Sequence, residues 1–353
     1  MDIYILDGLN GIIDILENYK SSIFNVQYNG FNDLQIVAPA TQKNIDLLQK
    51  GRYVVREEDI SEGEFQNVMI IENLKVDIDS ESGWLITATG KGLKTLLKRR
   101  IIWKQFNFSG TIENSIRTIV NYNAVSPTEP ARAIPNLILD AAKGLTKTLV
   151  VQVFSENVAD WIQEVCKNAG YGWDIYIKNN KYVFTMYEGT DRRSGAGAVV
   201  FSPTFDNLLS SSYQDNAADY SNAALVGGEG EGTDQVTVSI GDANTGLDRF
   251  EAYIDGGSVS SNGEYITIDT YKQLLSGYGE TQLNLTKFTE SFTGEVEPNG
   301  VYTLNKDYFL GDIVLIENEL GISASSRIDE IIYAEDENGS SVVPTFSQWE
   351  VES

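Results

Sequence analysis

The 353-residue chain contains no histidine and one cysteine. The first absence removes the commonest general base, the commonest metal ligand and the side chain that switches charge near neutral pH. It rules out a Ser-His-Asp or Cys-His catalytic group. A lone Cys166 forbids an intramolecular disulfide, and one cysteine with no histidine excludes a zinc site in practice. Long apolar runs are missing too. No stretch approaches the roughly 18 residues needed to cross a bilayer, so no membrane-spanning segment is expected. Met1-Asp2-Ile3-Tyr4 lacks the basic region and apolar core of a signal peptide, so folding is expected in a cytosol-like compartment. Positive charge is scarce in one half only. Residues 1–150 hold 16 basic and 18 acidic side chains, whereas residues 151–353 hold 10 and 33. Most of the net charge of −25 therefore sits in the second part. Such a surface repels a phosphate backbone, which disfavours direct nucleic-acid binding and suits solubility or a wall that DNA passes without sticking.

What is present reads as a folded, β-rich chain: 42% hydrophobic residues and 10% aromatic ones, enough for several cores. Tyr28-Asn29-Gly30-Phe31 marks a turn between two strands. Thr41 caps a helix bearing Ile45, Leu47 and Leu48, and Gly51 stands where a helix end favours a left-handed residue. Strands are expected at 51–56, 65–78 and 84–89, with a turn at 80–83 and a helical turn at 92–97. Ser109 is placed as the cap of a helix with Ile112, Ile116, Ile119 and Val120 on one face. The clearest helix is 155–169, capped by Ser155, ended by Gly170, with Val158, Trp161, Ile162, Val165, Cys166 and Ala169 as its apolar stripe. Residues 126–135 form a proline-rich loop, and paired strands follow at 171–177 and 181–187. One more helix, 269–284, interrupts an otherwise β-rich remainder.

One internal echo stands out. Gly51-Arg52-Tyr53-Val54-Val55 precedes a long alternating strand that ends in an acidic turn near Ser82-Gly83. Gly311-Asp312-Ile313-Val314-Leu315 precedes another that ends at Asn338-Gly339. Two similar small β-barrels in one chain would follow.

The candidate sites each have a plainer reading. Cys166 lies on an apolar helix face and reads as packing. The loop 227–232 is glycine-rich, but two glutamates and no lysine make a poor phosphate cradle. The clusters Glu57-Glu58-Asp59 and Glu335-Asp336-Glu337 lack the alternating spacing of a calcium loop. Catalytic, cofactor and metal residues are therefore read as none. A glycosidase needs only two carboxylates, and 51 acidic residues make any pairing uninformative. The run Lys98-Arg99-Arg100 beside Ile101-Ile102-Trp103 suits a subunit contact, a charged rim next to an apolar anchor, which makes Lys98, Arg99, Arg100, Ile102 and Trp103 the interface candidates.

Three stretches carry a resemblance. The first is 51–56 with Gly83-Trp84-Leu85-Ile86-Thr87-Ala88-Thr89-Gly90-Lys91-Gly92-Leu93 and Leu96-Leu97-Lys98-Arg99-Arg100-Ile101. The second is Val200-Phe201-Ser202, Asn207-Leu208-Leu209 and 222–230. The third is 308–314 with Gly321-Ile322-Ser323 and 327–331. In this order they resemble siphophage tail-hub, or baseplate hub, proteins over nearly the whole chain. The resemblance implies an α+β, β-rich multidomain fold: two similar small tube-type β-barrels plus two α/β insert domains, in a ring-shaped homotrimer. The divisions expected are 1–105 for the first barrel, 106–200 for an α+β domain, 201–240 with 286–353 for the second barrel, and 241–285 for a small insert. It also implies a non-enzymatic part of the virion tail tip, assembled in the host cytoplasm. The implied partners are the chain itself, a distal tail or tail tube protein, a tape-measure protein and tip or receptor-binding proteins. DNA would be transit cargo only, and no cofactor is implied. Two alternatives stay open: a glycan-binding or glycan-cleaving tail module, motivated by the aromatic and carboxylate content, and an adaptor for receptor-binding proteins.

Overall fold

The computed structural model describes the whole chain except residues 1, 80–82, 217, 219, 242, 244, 262–265, 285, 287–288, 298–299 and 349–353. It is β-rich α+β, with 23% helix and 42% strand. The expected turn at 80–83 falls largely outside the described residues.

The first unit starts with β1 (Ile3–Leu6), β2 (Ile12–Ile15), β3 (Ser21–Gln27), β4 (Asp33–Pro39), helix α1 (Gln42–Leu47) and β5 (Tyr53–Arg56). Thr41 caps α1 by accepting from the Asn44 amide. The strand expected over 65–78 divides. Asn67 takes a left-handed φ of 48°, which breaks the extended run. The short β6 (Ile60–Ser61) and β7 (Glu64–Phe65) therefore leave for a second sheet, and β8 (Met69–Asp79) stays to pair with β9 (Gly83–Gly92).

An α+β unit follows: β10 (Phe106–Thr111), α2 (Ile112–Val120), β11 (Leu137–Leu139), β12 (Thr148–Val153), α3 (Val158–Ala169), β13 (Gly172–Lys178) and β14 (Lys181–Tyr187). Both helices start two residues later than the sequence suggests. Ser109 lies in β10 and Ser155 has φ 64°, so Thr111 and Asn157 supply the cap oxygens instead. Next come β15 (Val200–Phe201), β16 (Leu208–Asn216), β17 (Ala223–Gly227), β18 (Thr237–Ile240), β19 (Glu251–Asp255), α4 (Ile268–Asn284), β20 (Thr289–Val296), β21 (Ile313–Glu317), β22 (Ser323–Asp336) and β23 (Gly339–Gln348). Strands β17, β18 and β19 form their own sheet under α4, around Val226, Tyr271 and Leu275. Strand β17, at 223–227, is the middle strand of that sheet.

The two halves of the echo fold alike. Gly51 and Gly311 both take left-handed φ, 87° and 93°. Each amide donates to the long strand, Gly51 N to Ile71 O at 2.8 Å and Gly311 N to Ile328 O at 2.7 Å. Each long strand answers at 2.9 Å, Ile71 N to Arg52 O and Ile328 N to Asp312 O. A bulge follows at once in both, after Ile71 and after Ile328. Hence β5, β8 and β9 correspond to β21, β22 and β23.

Neither unit closes into a barrel, contrary to expectation. The strand path is open, β15-β21-β22-β3-β4-β9-β8-β5-β1-β2, with β23 on the other side of β22. The physical reason is that the far half of β22 pairs with the other unit. Residues 330–335 lie antiparallel to Gln27 through Ser22 of β3, fusing both units into one 11-stranded sheet.

The turn after β3 locks this joint. Tyr28 N donates to the bulge carbonyl of Asp329 at 2.8 Å. The Tyr28 hydroxyl donates to Gly170 O at 3.2 Å and accepts from Gly189 N at 3.0 Å. The buried Lys94 ammonium donates to Gln27 O at 2.6 Å and Gly30 O at 2.9 Å, and the Trp173 indole donates to Asn29 O at 2.8 Å. Across the seam, buried Arg56 is gripped by Asp59 at 2.6 Å and lies 3.4 Å over the Tyr333 ring.

Gly311 is pressed on Tyr28: a Cβ there would sit 2.1 Å from ring Cε2, whereas one on Gly51 meets nothing within 4 Å. We expect Gly51→Ala to cost ~1–2 kcal/mol for its backbone conformation alone. Gly311→Ala should add the ring overlap, for a total of ~3 kcal/mol or more in urea unfolding.

Burial lowers the Lys94 pKa from 10.5 to about 8. Below pH 8 both folded and unfolded chains hold this proton. Between about 8 and 10.5 only the unfolded chain does, so folding strengthens as pH rises through that window. Urea midpoints of the natural chain, compared with those of Lys94→Met, should show that rise in the natural chain only.

Candidate subunit-contact surfaces and an interdomain cavity

The basic run lies on a 3₁₀ turn, Leu93–Arg99, that links the first β unit to the α+β unit. The structure separates its residues. Lys98 faces solvent 3.3 Å from Asp160, with its ammonium 3.9 Å over the Phe31 ring. Arg99 is exposed. Arg100 turns inward and donates to the carbonyls of Arg132 and Ala133 in the proline-rich loop. Ile102 is fully buried in the core that α2 and α3 share. Trp103 is 59% exposed, with the Arg132 guanidinium 3.9 Å over its ring. Of the five candidates, then, Lys98, Arg99 and Trp103 present surface, with exposed Ile101 and Phe154 near in sequence and fold. Arg100 and Ile102 hold the chain together from within.

A larger apolar surface lies elsewhere, where the β8–β9 hairpin runs past the core. Ile86 and Ala88 of β9 are buried. The same sheet face continues outward through Leu74, Val76, Ile78 and Trp84, which are 40%, 50%, 65% and 60% exposed. The opposite face is polar. There Lys75 pairs with Asp77 at 2.8 Å, Lys91 pairs with Asp33, and Asn73, Thr87 and Thr89 lie between them. The edge is open as well: β5 pairs only with Met69 and Ile70 of β8, and no strand lines residues 72–79 among the described residues. The alternation over 65–78 marks an apolar and a polar face, but nothing in a period-2 pattern tells whether the apolar side is covered.

A cavity of about 450 Å³ lies between β12, α3 and α4. Trp161, Tyr278, Gln282, Glu156 and Glu164 line it. Desolvation and the charge of Glu164 push the Glu156 carboxyl above its ordinary range. Gln282 donates to Glu164 at 3.1 Å, and the buried amide nitrogen of Asn168 on the wall has no hydrogen-bond partner among the described residues. Cys166 is fully buried and desolvation raises its thiol pKa, so it is no nucleophile. Among the described residues no group of three or more acidic or cysteine side chains is gathered as a metal site, and no helix is long and apolar enough to cross a membrane.

This arrangement of sheets is the fold of prophage tail proteins. The chain superposes on the tail protein from Neisseria meningitidis MC58 with a TM-score of 0.58 at 13% identity, covering 98% of this chain and 96% of that one. The 43 kDa tail protein of prophage MuSo2 from Shewanella oneidensis gives 0.58 at 14%, covering 99% and 98%. Prophage tail protein gp18 from Listeria monocytogenes EGD-e gives 0.55 at 13%, covering 100% and 96%. The family is shown by sequence: the model of the Siphovirus ReqiPepy6 Gp37-like proteins matches residues 2–346, and the chain belongs to that family of siphovirus tail proteins. No curated protein matches it.

Arg132→Ala should cost ~1–2 kcal/mol in urea unfolding. It strips the hydrogen bond to fully buried Asn123 as well as the ring contact. Lys98→Ala, whose acidic partner is exposed, should stay within ~0.5 kcal/mol.

Proposed function

We infer that the protein is the structural hub of a siphophage tail tip, a threefold ring that joins the sixfold tail tube or distal tail protein to the tip. The observation that carries this is the duplication inside one chain. Glycine-led strand, bulged long strand and return strand occur twice in the same geometry. Three copies would offer six equivalent β units to a sixfold tube while keeping threefold symmetry below. The family and the shared tail-protein fold support the same reading.

The polar face of the joined sheet would line the channel. Its cations there, Lys75 and Lys91, are each held by a carboxylate, and the acidic excess lies in the second part of the chain. DNA would meet few free positive charges and pass without adhering. The tape-measure protein and tip or receptor-binding proteins would be the axial partners, and catalysis is no part of the role. Mass photometry of the purified chain and cryo-electron microscopy of assembled tails test this. A ring of three copies with six β units is expected. A monomer in solution with no ring in the tail would overturn it.

The interdomain cavity favours one second reading, a glycan-binding or glycan-cleaving module. It combines two carboxylates with Trp161 and Tyr278, groups that hydrogen-bond and stack on sugars. Release of reducing ends from cell-wall polysaccharide, lost in Glu156→Gln, would establish it.

A further inference from the structure

We propose that the bare edge of β8, residues 73–78, is completed by β16 of a second copy of this chain, repeating between molecules the β3·β22 joint that each chain makes within itself. This rests on the ring reading and adds the contact that would close the ring.

The two units correspond beyond the three strands already matched. In the first, the β3·β4 hairpin lies beside β9; in the second, β16 pairs with β20, and β20 packs beside β23. So β16 stands to the second unit as β3 stands to the first. β3 spends its outer edge on residues 330–335 of β22. Counting from the bulges, residues 73–78 of β8 are the equivalents of 330–335, and on the edge away from β9 they face no strand among the described residues. Nor does the outer edge of β16. The chain thus ends in one vacant strand edge of each kind, and the joint that would fill both already exists once within it.

Side chains agree. Leu74 and Val76 occupy the places of Ile331 and Tyr333. Ile331 is buried and Tyr333 largely so, beside Val26 and Phe24 of β3. Leu74 and Val76, lacking such a neighbour, stay 40% and 50% exposed. An exposed strand edge with an apolar face is a site for strand addition. Ser210, Ser211, Ser212, Tyr213 and Gln214 bring no charge against Lys75 and Asp77. Because β8 and β16 differ, the contact is head-to-tail and propagates until a ring closes.

The test uses paired cysteines in the full chain, whose own Cys166 is buried and unreactive. Lys75→Cys protein is mixed with proteins carrying one cysteine at a position from Ser210 to Gln214, then mildly oxidised. We expect covalent pairs containing one of each, and a chain bearing both cysteines should form a ladder ending at three copies. In parallel, Val76→Glu should weaken self-association at least tenfold without lowering the melting temperature, while Leu247→Glu, at a 97% exposed position of the small unit, should change neither. Pairs formed by Lys75→Cys alone would show β8 meeting β8 and overturn the proposal. So would a threefold ring that forms normally in Val76→Glu with no cross-link at any β16 position, although the ring reading would then stand. Absence of any assembly in the natural chain would remove both.

Discussion

The ladder between β3 and the far half of β22 is the constraint on which the rest of this fold depends. It joins the first and last parts of the chain over about 300 residues of sequence separation. It is also why neither β unit closes on itself: each backbone group that β22 gives to β3 is withdrawn from its own unit. The turn 28–31 fixes the end of the ladder, with its carbonyls taken by Lys94 and Trp173. Carrying an ammonium into the core is costly, and the three neutral carbonyls of Gln27, Tyr28 and Gly30 offset that cost. The α+β unit contributes Trp173 and the backbone around Gly170 and Gly189, so all three bodies meet on Tyr28. The contact is tight enough that Gly172 and Gly311 have no room for a side chain against its ring.

Two like β units that differ at one edge give the molecule its polarity. In the second unit the apolar strip on the long strand is covered by a neighbour in the same chain. In the first, the matching strip is left out. Leu74, Val76 and Trp84 form a contiguous exposed apolar strip, the kind of surface that marks an interaction site. Their exposure and the closed ion pairs on the opposite face fit the proposed sheet that continues beyond one molecule.

Much of this was legible in the sequence. The glycine-led strands, the turn at Tyr28-Asn29-Gly30-Phe31, helix α3 and the internal echo come from short-range signals such as alternation, left-handed glycine and a 3.6-residue stripe. What failed also has physical causes. Thr111 and Asn157 cap the helices because β10 runs on through Ser109 and Ser155 adopts a left-handed turn, choices set by tertiary packing. Asn67 ends what looks like one strand, since asparagine tolerates the left-handed region that other residues avoid. Of the five contact candidates, Ile102 could not be told from Trp103 in sequence, yet one is core and the other surface. The β8 edge was invisible for the same reason: a strand's pattern tells its two faces apart but says nothing of what lies along its edge.

Amide hydrogen exchange is the most direct probe of the central claim that the two β units are structural equals sharing one kind of joint. Amides of residues 330–335 should be protected in a single chain, where β3 already covers them. Half of those in residues 73–78, the set pointing to the open edge, should exchange quickly in the free chain and become equally slow in assembled tails. If they exchange as fast in the tail as in the isolated chain, the two units do not share a joint and the account fails.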